Sequence, residues 1–261
     1  MGTGAITQYV DVAQLVLYLF WAFFAGLIYY LTVESKREGF PLETDRADGS
    51  IRFDNGIAGM PTPKVYKTEF HGDFVAPHGR DRQELPVQGR SLSGLPSMPL
   101  EPTGNPMTSG IGPGAFTQRS NKPDMTAEGH ARIVPLREAA GFSLAEQDLD
   151  PRGLPVLGAD GQTGGRVTDV WVDRSEHLIR YLEVQTNGGR SVLVPMNFAR
   201  VRKDRIKGNR VTIEAILAGQ LEGVPGLASP SQISRLEEEV VMGYFGAGTL
   251  FATPDRREPL L

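Results

Sequence analysis

VWVDRSEHLIRYLEV, residues 170–184, reads as two β-strands joined at a corner that carries Asp173, Glu176 and His177. Its flanks extend the pattern. GLPVLGADGQTGGRVTDVWVD (153–173) predicts a strand, an Asp160–Gly161 turn and a second strand in which Val167, Val170 and Val172 are flanked by polar residues. HLIRYLEVQT (177–186) is a third strand, Asn187–Gly188 a tight turn, RSVLVPM (190–196) a fourth strand, and RVTIEAI (210–216) a further one. Short strands with tight turns predict a small twisted antiparallel sheet closed into a barrel. The titratable side chains at the corner either solvate a hairpin or form part of a device that moves protons, and neither spacing nor residue type decides between the two.

Beyond the last strand, SPSQISRLEEEVVMGYFGAG (229–248) predicts a helix over about 230–245. Ser229 would cap it, Pro230 would sit in its first turn, Gln232 would reach back to the cap, and the glycines near Gly246 would end it. Ile233, Leu236, Val240 and Tyr244 recur at three- or four-residue spacing, which packs one face and leaves Glu237, Glu238 and Glu239 near water.

At the other end lies VAQLVLYLFWAFFAGLIYYLTV, residues 12–33, free of charge throughout. As a helix rising 1.5 Å per residue it spans roughly 33 Å, slightly more than a bilayer's hydrocarbon core. It is apolar on every face, so it is expected to cross a membrane once. Only Asp11 is charged before it, unlike the basic start of a secretory signal peptide. Lys36 and Arg37 follow at once, with Arg46 and Arg52 beyond. The positive-inside rule then leaves residues 1–11 as a short periplasmic N-terminus and puts the bulk of the chain in the cytoplasm. Tyr29 and Tyr30 suit an interfacial aromatic belt, whereas Trp21, near mid-span, together with Ala22, Ala25 and Gly26 suits packing on neighbouring helices and lipids.

Residues 34–134 carry Pro or Gly every few positions, which blocks long helices and interior strands. Phe40, Tyr66, Phe70, Phe74 and Phe116 are interleaved among them. The segment therefore reads as irregular chain that borrows order from a partner surface. Residues 135–261 make the barrel domain with its C-terminal helix, and the fold class is a membrane-anchored α+β protein.

Composition narrows the chemistry. The 261 residues include no cysteine, which excludes disulfides, thiolate metal sites and a cysteine nucleophile. A formal net charge of −4 without a long basic run argues against a nucleic-acid coat. No phosphate-binding loop or nucleophile elbow is present; the glycines of GADGQTGG sit in a hairpin. His71, His78, His130 and His177 are scattered, and Glu128 with His130 supplies only two ligands, too few for a specific metal site.

The succession DVAQLVLYLFWAFFAGLIYYL, ESKREGFPLE, PTGNPM, IVPLREAAGFSLAEQDLDPRGLPV, VTDVWVDRSEHLIRYLEV and EEEVVMGYFGAGTLFATP resembles the H subunit of the purple-bacterial photosynthetic reaction centre over almost the whole chain. The resemblance implies that the sheet is a PRC-barrel. It further implies a non-catalytic subunit of the photosynthetic (chromatophore) inner membrane that caps the L and M subunits. Those subunits would hold bacteriochlorophyll, bacteriopheophytin, quinones and non-haem iron, and this chain no cofactor of its own. A cytochrome subunit, light-harvesting antenna and membrane lipids would surround it. Protons would pass through it to the reduced secondary quinone. Asp173 and Glu176 fall where the family carries acids of the proton network, His130 where it carries a surface histidine, and Glu128 at a position that is histidine in some relatives. Arg180 would hold the acids ionised or orient them. Two other classes compete: a membrane-tethered barrel adaptor for another cytoplasmic protein, and a membrane-anchored hydrolase, which the missing nucleophile disfavours.

Overall fold

The structure is a computed structural model that describes residues 4, 6, 11–45, 50–77, 88–93 and 98–257, in two compact units. One contains residues 1–85 and 93–98, the other 86–92 and 99–261. Arg46, His78 and most of residues 1–11 lie outside the described residues.

The first unit begins with helix α1, Val12–Glu34. The Asp11 carboxylate caps it by accepting from the Gln14 N–H at 2.7 Å. No side chain of α1 is buried, and its apolar residues face outward on all sides. Such a helix satisfies its own backbone and leaves its side chains to lipid or neighbouring helices. Trp21 packs edge-on against Phe20 and Phe24, with ring centroids 5.6 and 5.9 Å away. Ala22, Ala25, Gly26, Tyr29 and Tyr30 stay exposed, and a Cβ built on Gly26 meets nothing within 4 Å.

The first cations after α1 are bonded to the chain that follows it. Lys36 is buried and donates to the carbonyls of Ile57 and Gly59, the latter at 3.0 Å. Arg37 grips both oxygens of Glu34 and donates to the carbonyls of Thr62 at 2.8 Å and Ala76 at 3.0 Å. They tie the helix end to two antiparallel ladders, β1 (Leu42–Asp45) with β2 (Ile51–Asp54) and β3 (Lys64–Thr68) with β4 (Gly72–Ala76). The sequence reading has no strands here. Every strand of a two-stranded ladder is an edge strand, which is why a segment this rich in Pro and Gly accommodates them. Val65, Tyr66, Phe70, Phe74 and Val75 on or beside β3 and β4 are exposed.

In the second unit β5 (Gly89–Ser91) pairs with β6 (Leu100–Pro102). The main sheet consists of β7 (Ile133–Pro135), β8 (Pro155–Leu157), β9 (Thr163–Asp173), β10 (Leu178–Thr186), β11 (Ser191–Pro195), β12 (Ala199–Arg202) and β13 (Arg210–Ile213). Their order is β11-β10-β9-β8-β13-β12, with β7 paired to β9. A single 3₁₀ turn, Met196–Phe198, joins β11 to β12, so the two ends of the sheet are continuous in the chain. One pair departs from the antiparallel expectation: β13 runs parallel to β8. Trp171, Leu182, Leu193, Ile213 and Phe245 are among the fully buried side chains of the core. Asn187 and Gly188 form the expected tight turn after β10, the Gly189 N–H donating across them to the Thr186 carbonyl at 2.9 Å, and Gly189, at φ 86°, takes the left-handed position that follows it.

The C-terminal helix α2 spans Arg235–Phe251, shifted from the 230–245 expected. Ser234, not Ser229, is the cap. Its hydroxyl accepts from the Glu237 N–H at 3.2 Å while the Glu237 carboxylate accepts from the Ser234 N–H at 2.7 Å. Ser229 and Pro230 stay outside the helix, and the Pro230 carbonyl accepts from Arg137, which also holds Asp169 and Glu183. Buried Val241 and Phe245 carry the packed face, with Tyr244, whereas Leu236 and Val240 are only half-buried.

The glycines read as a helix stop are contact points instead. A methyl on Gly243 would stand 2.9 Å from the Gly114 carbonyl oxygen, and one on Gly246 would overlap the Pro113 carbonyl oxygen. Residues 112–114 thus lie directly on α2, and residues 99–134, assigned by sequence to the irregular segment, belong to the barrel's unit.

If Gly246 merely ended the helix, Gly246→Ala would be neutral or stabilising. Because rigid backbone occupies the space, the substitution is expected to destabilise by about 1–3 kcal/mol, measured by denaturant unfolding.

Candidate functional site

The corner forms where β9 ends at Asp173 and β10 starts at its antiparallel partner Leu178. Asp173 builds the turn: one carboxylate oxygen accepts from the N–H groups of Ser175 and Glu176, both at 2.9 Å. His177 closes it in a left-handed conformation, φ 56°, its N–H donating to the Asp173 carbonyl at 2.9 Å and its ring 5.0 Å from that of Phe142. That is a turn residue's position.

Asp173 is 0% exposed, which for a carboxylate demands partners. Arg132 supplies the main one, its Nε donating to both carboxylate oxygens at 3.0 and 2.9 Å; Arg180 Nε adds a bond at 3.2 Å. Arg132 gets there because β7 pairs with β9 so that Ile133 faces Asp173, and Arg132 is the residue before it. Burial pushes the Asp173 carboxyl up, but the Arg132 hydrogen bond, the two loop N–H groups and the Arg132 charge outweigh it and hold the group below the usual carboxylate range. The same contact raises the Arg132 guanidinium above its ordinary value.

Glu176, about half-exposed, bridges the two arginines, accepting from Arg132 and, at 2.8 Å, from Arg180. Asp124 accepts from the remaining nitrogen of Arg132 at 3.3 Å. Three acids and two arginines therefore form one network. Glu128 and His130 occupy the exposed turn just before Arg132, and the Glu128 carboxyl is lowered by the Thr126 hydroxyl first, then by its own backbone N–H and the charges of His130 and Arg174. Among the described residues, no hydrogen bond joins Glu128 or His130 to Asp173 or Glu176.

Beside Arg180, the buried Tyr181 hydroxyl donates to Glu238 of α2 at 3.0 Å. Burial raises the Glu238 carboxyl, against the downward pull of that hydroxyl and of Arg180. Glu238 lines a cleft of about 270 Å³ together with Arg119, Arg180 and Glu239. It is therefore not the solvated helix-face acid the sequence reading made it. Two carboxyls near Arg180 are tuned in opposite directions: Asp173 is fixed as an anion, and Glu238 is pushed toward holding a proton.

Two comparisons complete the picture. Residues 4–138 match the family model of the photosynthetic reaction centre H-chain N-terminal region, and residues 146–218 match the PRC-barrel domain. The chain belongs to the photosynthetic reaction-centre H-chain family. The PRC-barrel match covers β8 to β13, including β9 and β10, which carry Asp173 and Arg180 of this H chain, whereas Arg132 and Asp124 lie in the H-chain N-terminal match.

Sequence reasoning brought Asp173, Glu176 and Arg180 to one place, where the structure also has them. It missed Arg132, Asp124, Tyr181 and Glu238. Arg132 lies 41 residues before Asp173 and has no local spacing to it, so only the pairing of β7 with β9 reveals it. The one available signal for Glu238 is the phase of α2, which depends on where the cap falls.

Arg132→Gln is expected to destabilise the protein by about 2–3 kcal/mol, below the full cost of breaking a buried pair because Arg180 and the turn N–H groups remain. The folded-state carboxyl of Asp173 lies below its unfolded value of about 3.9, so its stabilisation is present above that pH and is lost as pH falls through the folded value. The difference between wild type and variant in unfolding experiments should therefore be full at neutral pH and shrink as the pH falls below the unfolded value.

Proposed function

We propose that this chain is a non-catalytic H subunit that caps the cytoplasmic face of the reaction-centre L and M subunits and conducts protons to the reduced secondary quinone. The L and M subunits hold the bacteriochlorophyll, bacteriopheophytin, quinones and non-haem iron. α1 anchors the chain in the photosynthetic inner membrane with its N-terminus periplasmic and the remainder cytoplasmic, beside a cytochrome subunit and antenna. The observation that carries this reading is the H-chain match over residues 4–138. The exposed apolar residues of the β3–β4 ladder support it, since a two-stranded hairpin with apolar faces gains stability only from a covering surface.

Quinone reduction to quinol takes up two protons, and a subunit that covers the site must also admit them. His130 and Glu128 form the mouth, on an exposed turn. Glu176, open to water yet bonded to both arginines, receives the proton next; water bridges the gap where no direct hydrogen bond exists. Asp173 stays ionised and supplies a fixed negative charge that favours a proton nearby, while Arg132 and Arg180 keep it in place. Glu238 serves as a holding group, its carboxyl raised by burial so that it binds a proton more readily than an exposed glutamate.

Detergent-solubilised complex captured by a tag on this chain should show near-infrared bacteriochlorophyll bands that bleach under light. A colourless preparation from pigmented cells would leave the tethered adaptor as the working reading. Within the complex, Asp173→Asn with Glu176→Gln should slow the proton-coupled second electron transfer several-fold and leave primary charge separation intact. Glu176→Gln alone, at a half-exposed position, separates this effect from damage to the turn; unchanged flash kinetics across a pH series would remove these acids from the route.

A further inference from the structure

The β12–β13 hairpin has a character unlike the rest of its unit. Residues 200–210 hold six cations, Arg200, Arg202, Lys203, Arg205, Lys207 and Arg210, and one acid, Asp204, in a chain whose formal net charge is −4. At the tip stands Ile206, 95% exposed; the next most exposed large apolar side chain of this unit, among the described residues, is Leu100 at 44%. A single exposed isoleucine is ordinary on a protein surface, but this one is presented by a built turn. The Asp204 carboxylate accepts from the N–H groups of Ile206 at 2.8 Å and Lys207 at 2.9 Å and from Arg210 at 3.0 Å. The Asn209 side chain accepts from the Asp204 N–H at 3.2 Å, and Gly208 turns the chain at φ 78°. The two loop N–H groups, then Arg210, hold the Asp204 carboxyl at about 2, so the turn stays intact throughout the physiological range. The one acid of the hairpin is thereby engaged in its own scaffold. Arg200 and Arg202 stand 3.7 Å from Glu214, and Lys203, Arg205 and Lys207 make no ion pair among the described residues.

We propose that this hairpin docks on an anionic lipid surface, with Ile206 entering the headgroup–acyl boundary and Lys203, Arg205 and Lys207 meeting lipid phosphates. An apolar tip ringed by unpaired cations matches that surface twice over: acyl chains take the isoleucine and the negative surface potential takes the lysines and arginine. An acidic protein face would satisfy the cations but leaves no reason for a lone, rigidly presented isoleucine at the apex. The chain also carries its own apolar span, α1, so a bilayer is always within tethering range. The proposal goes beyond the reaction-centre role and does not depend on the proton route; it rests on α1 as an anchor.

The absence of cysteine makes a single-site label straightforward. The full chain carrying Ile206→Cys with a nitroxide label is placed in nanodiscs of phosphatidylcholine alone or with phosphatidylglycerol. Co-migration with either disc reports the α1 anchor separately, so failed anchoring is told apart from an idle hairpin. In phosphatidylglycerol discs the label should collide several-fold more with oxygen, relative to an aqueous nickel chelate, than in phosphatidylcholine discs. The excess should vanish in Lys203→Gln/Arg205→Gln/Lys207→Gln and in high salt, where the Debye length falls to about 3 Å at 1 M. As a label-free check, amide exchange of residues 203–209 in the native chain should slow in phosphatidylglycerol discs and recover with Ile206→Ser. A label equally aqueous in both discs, or protection that needs added partner protein rather than lipid charge, would overturn the proposal.

Discussion

The buried carboxylate of Asp173 is the interaction on which the corner of the barrel depends. It ends one strand, builds the turn into the next through two backbone N–H groups, and captures Arg132 from the chain entering β7. Removing a carboxylate from water is costly, and only this many donors with one geometry compensate for it. The same requirement fixes where Arg132, Arg180 and Glu176 lie, so the constraint that stabilises the turn also arranges the charges of the candidate proton site.

Tuning follows from packing rather than from residue type. Asp173 and Glu238 are both shielded acids near Arg180, yet their carboxyls move in opposite directions. Asp173 has guanidinium donors on both oxygens and two backbone donors on one of them. Glu238 has one neutral hydroxyl as its hydrogen-bond donor, and that bond with the charges of Arg180 and Arg119 does not outweigh its burial. A fixed anion and a carboxyl raised by burial thus stand near the same arginine, a difference that residue type alone does not encode.

Close backbone approach is the second organising device. Gly243 and Gly246 let residues 113–114 lie against α2, so a segment whose composition suggests irregular chain becomes part of the barrel's unit. In the other unit, Lys36 and Arg37 donate to three carbonyls of the loop between β2 and β3 and to the carbonyl of Ala76 at the end of β4. These two cations thereby order the chain beyond the apolar helix.

By itself the sequence determined what local pattern encodes. The uncharged run 12–33 could only be a helix in an apolar surrounding, alternation and turn residues marked the strands from 153 to 216, and the corner acids were visible at the end of one of them. The cap was read at Ser229, whereas Ser234 with Glu237 forms the capping box, the same local pattern five residues on. Only the tertiary structure could decide the parallel β8–β13 pair, the glycine contacts of α2, and the partners Arg132 and Glu238. Each joins residues far apart in the chain, where no spacing rule applies and the outcome rests on which strands and helices pack together.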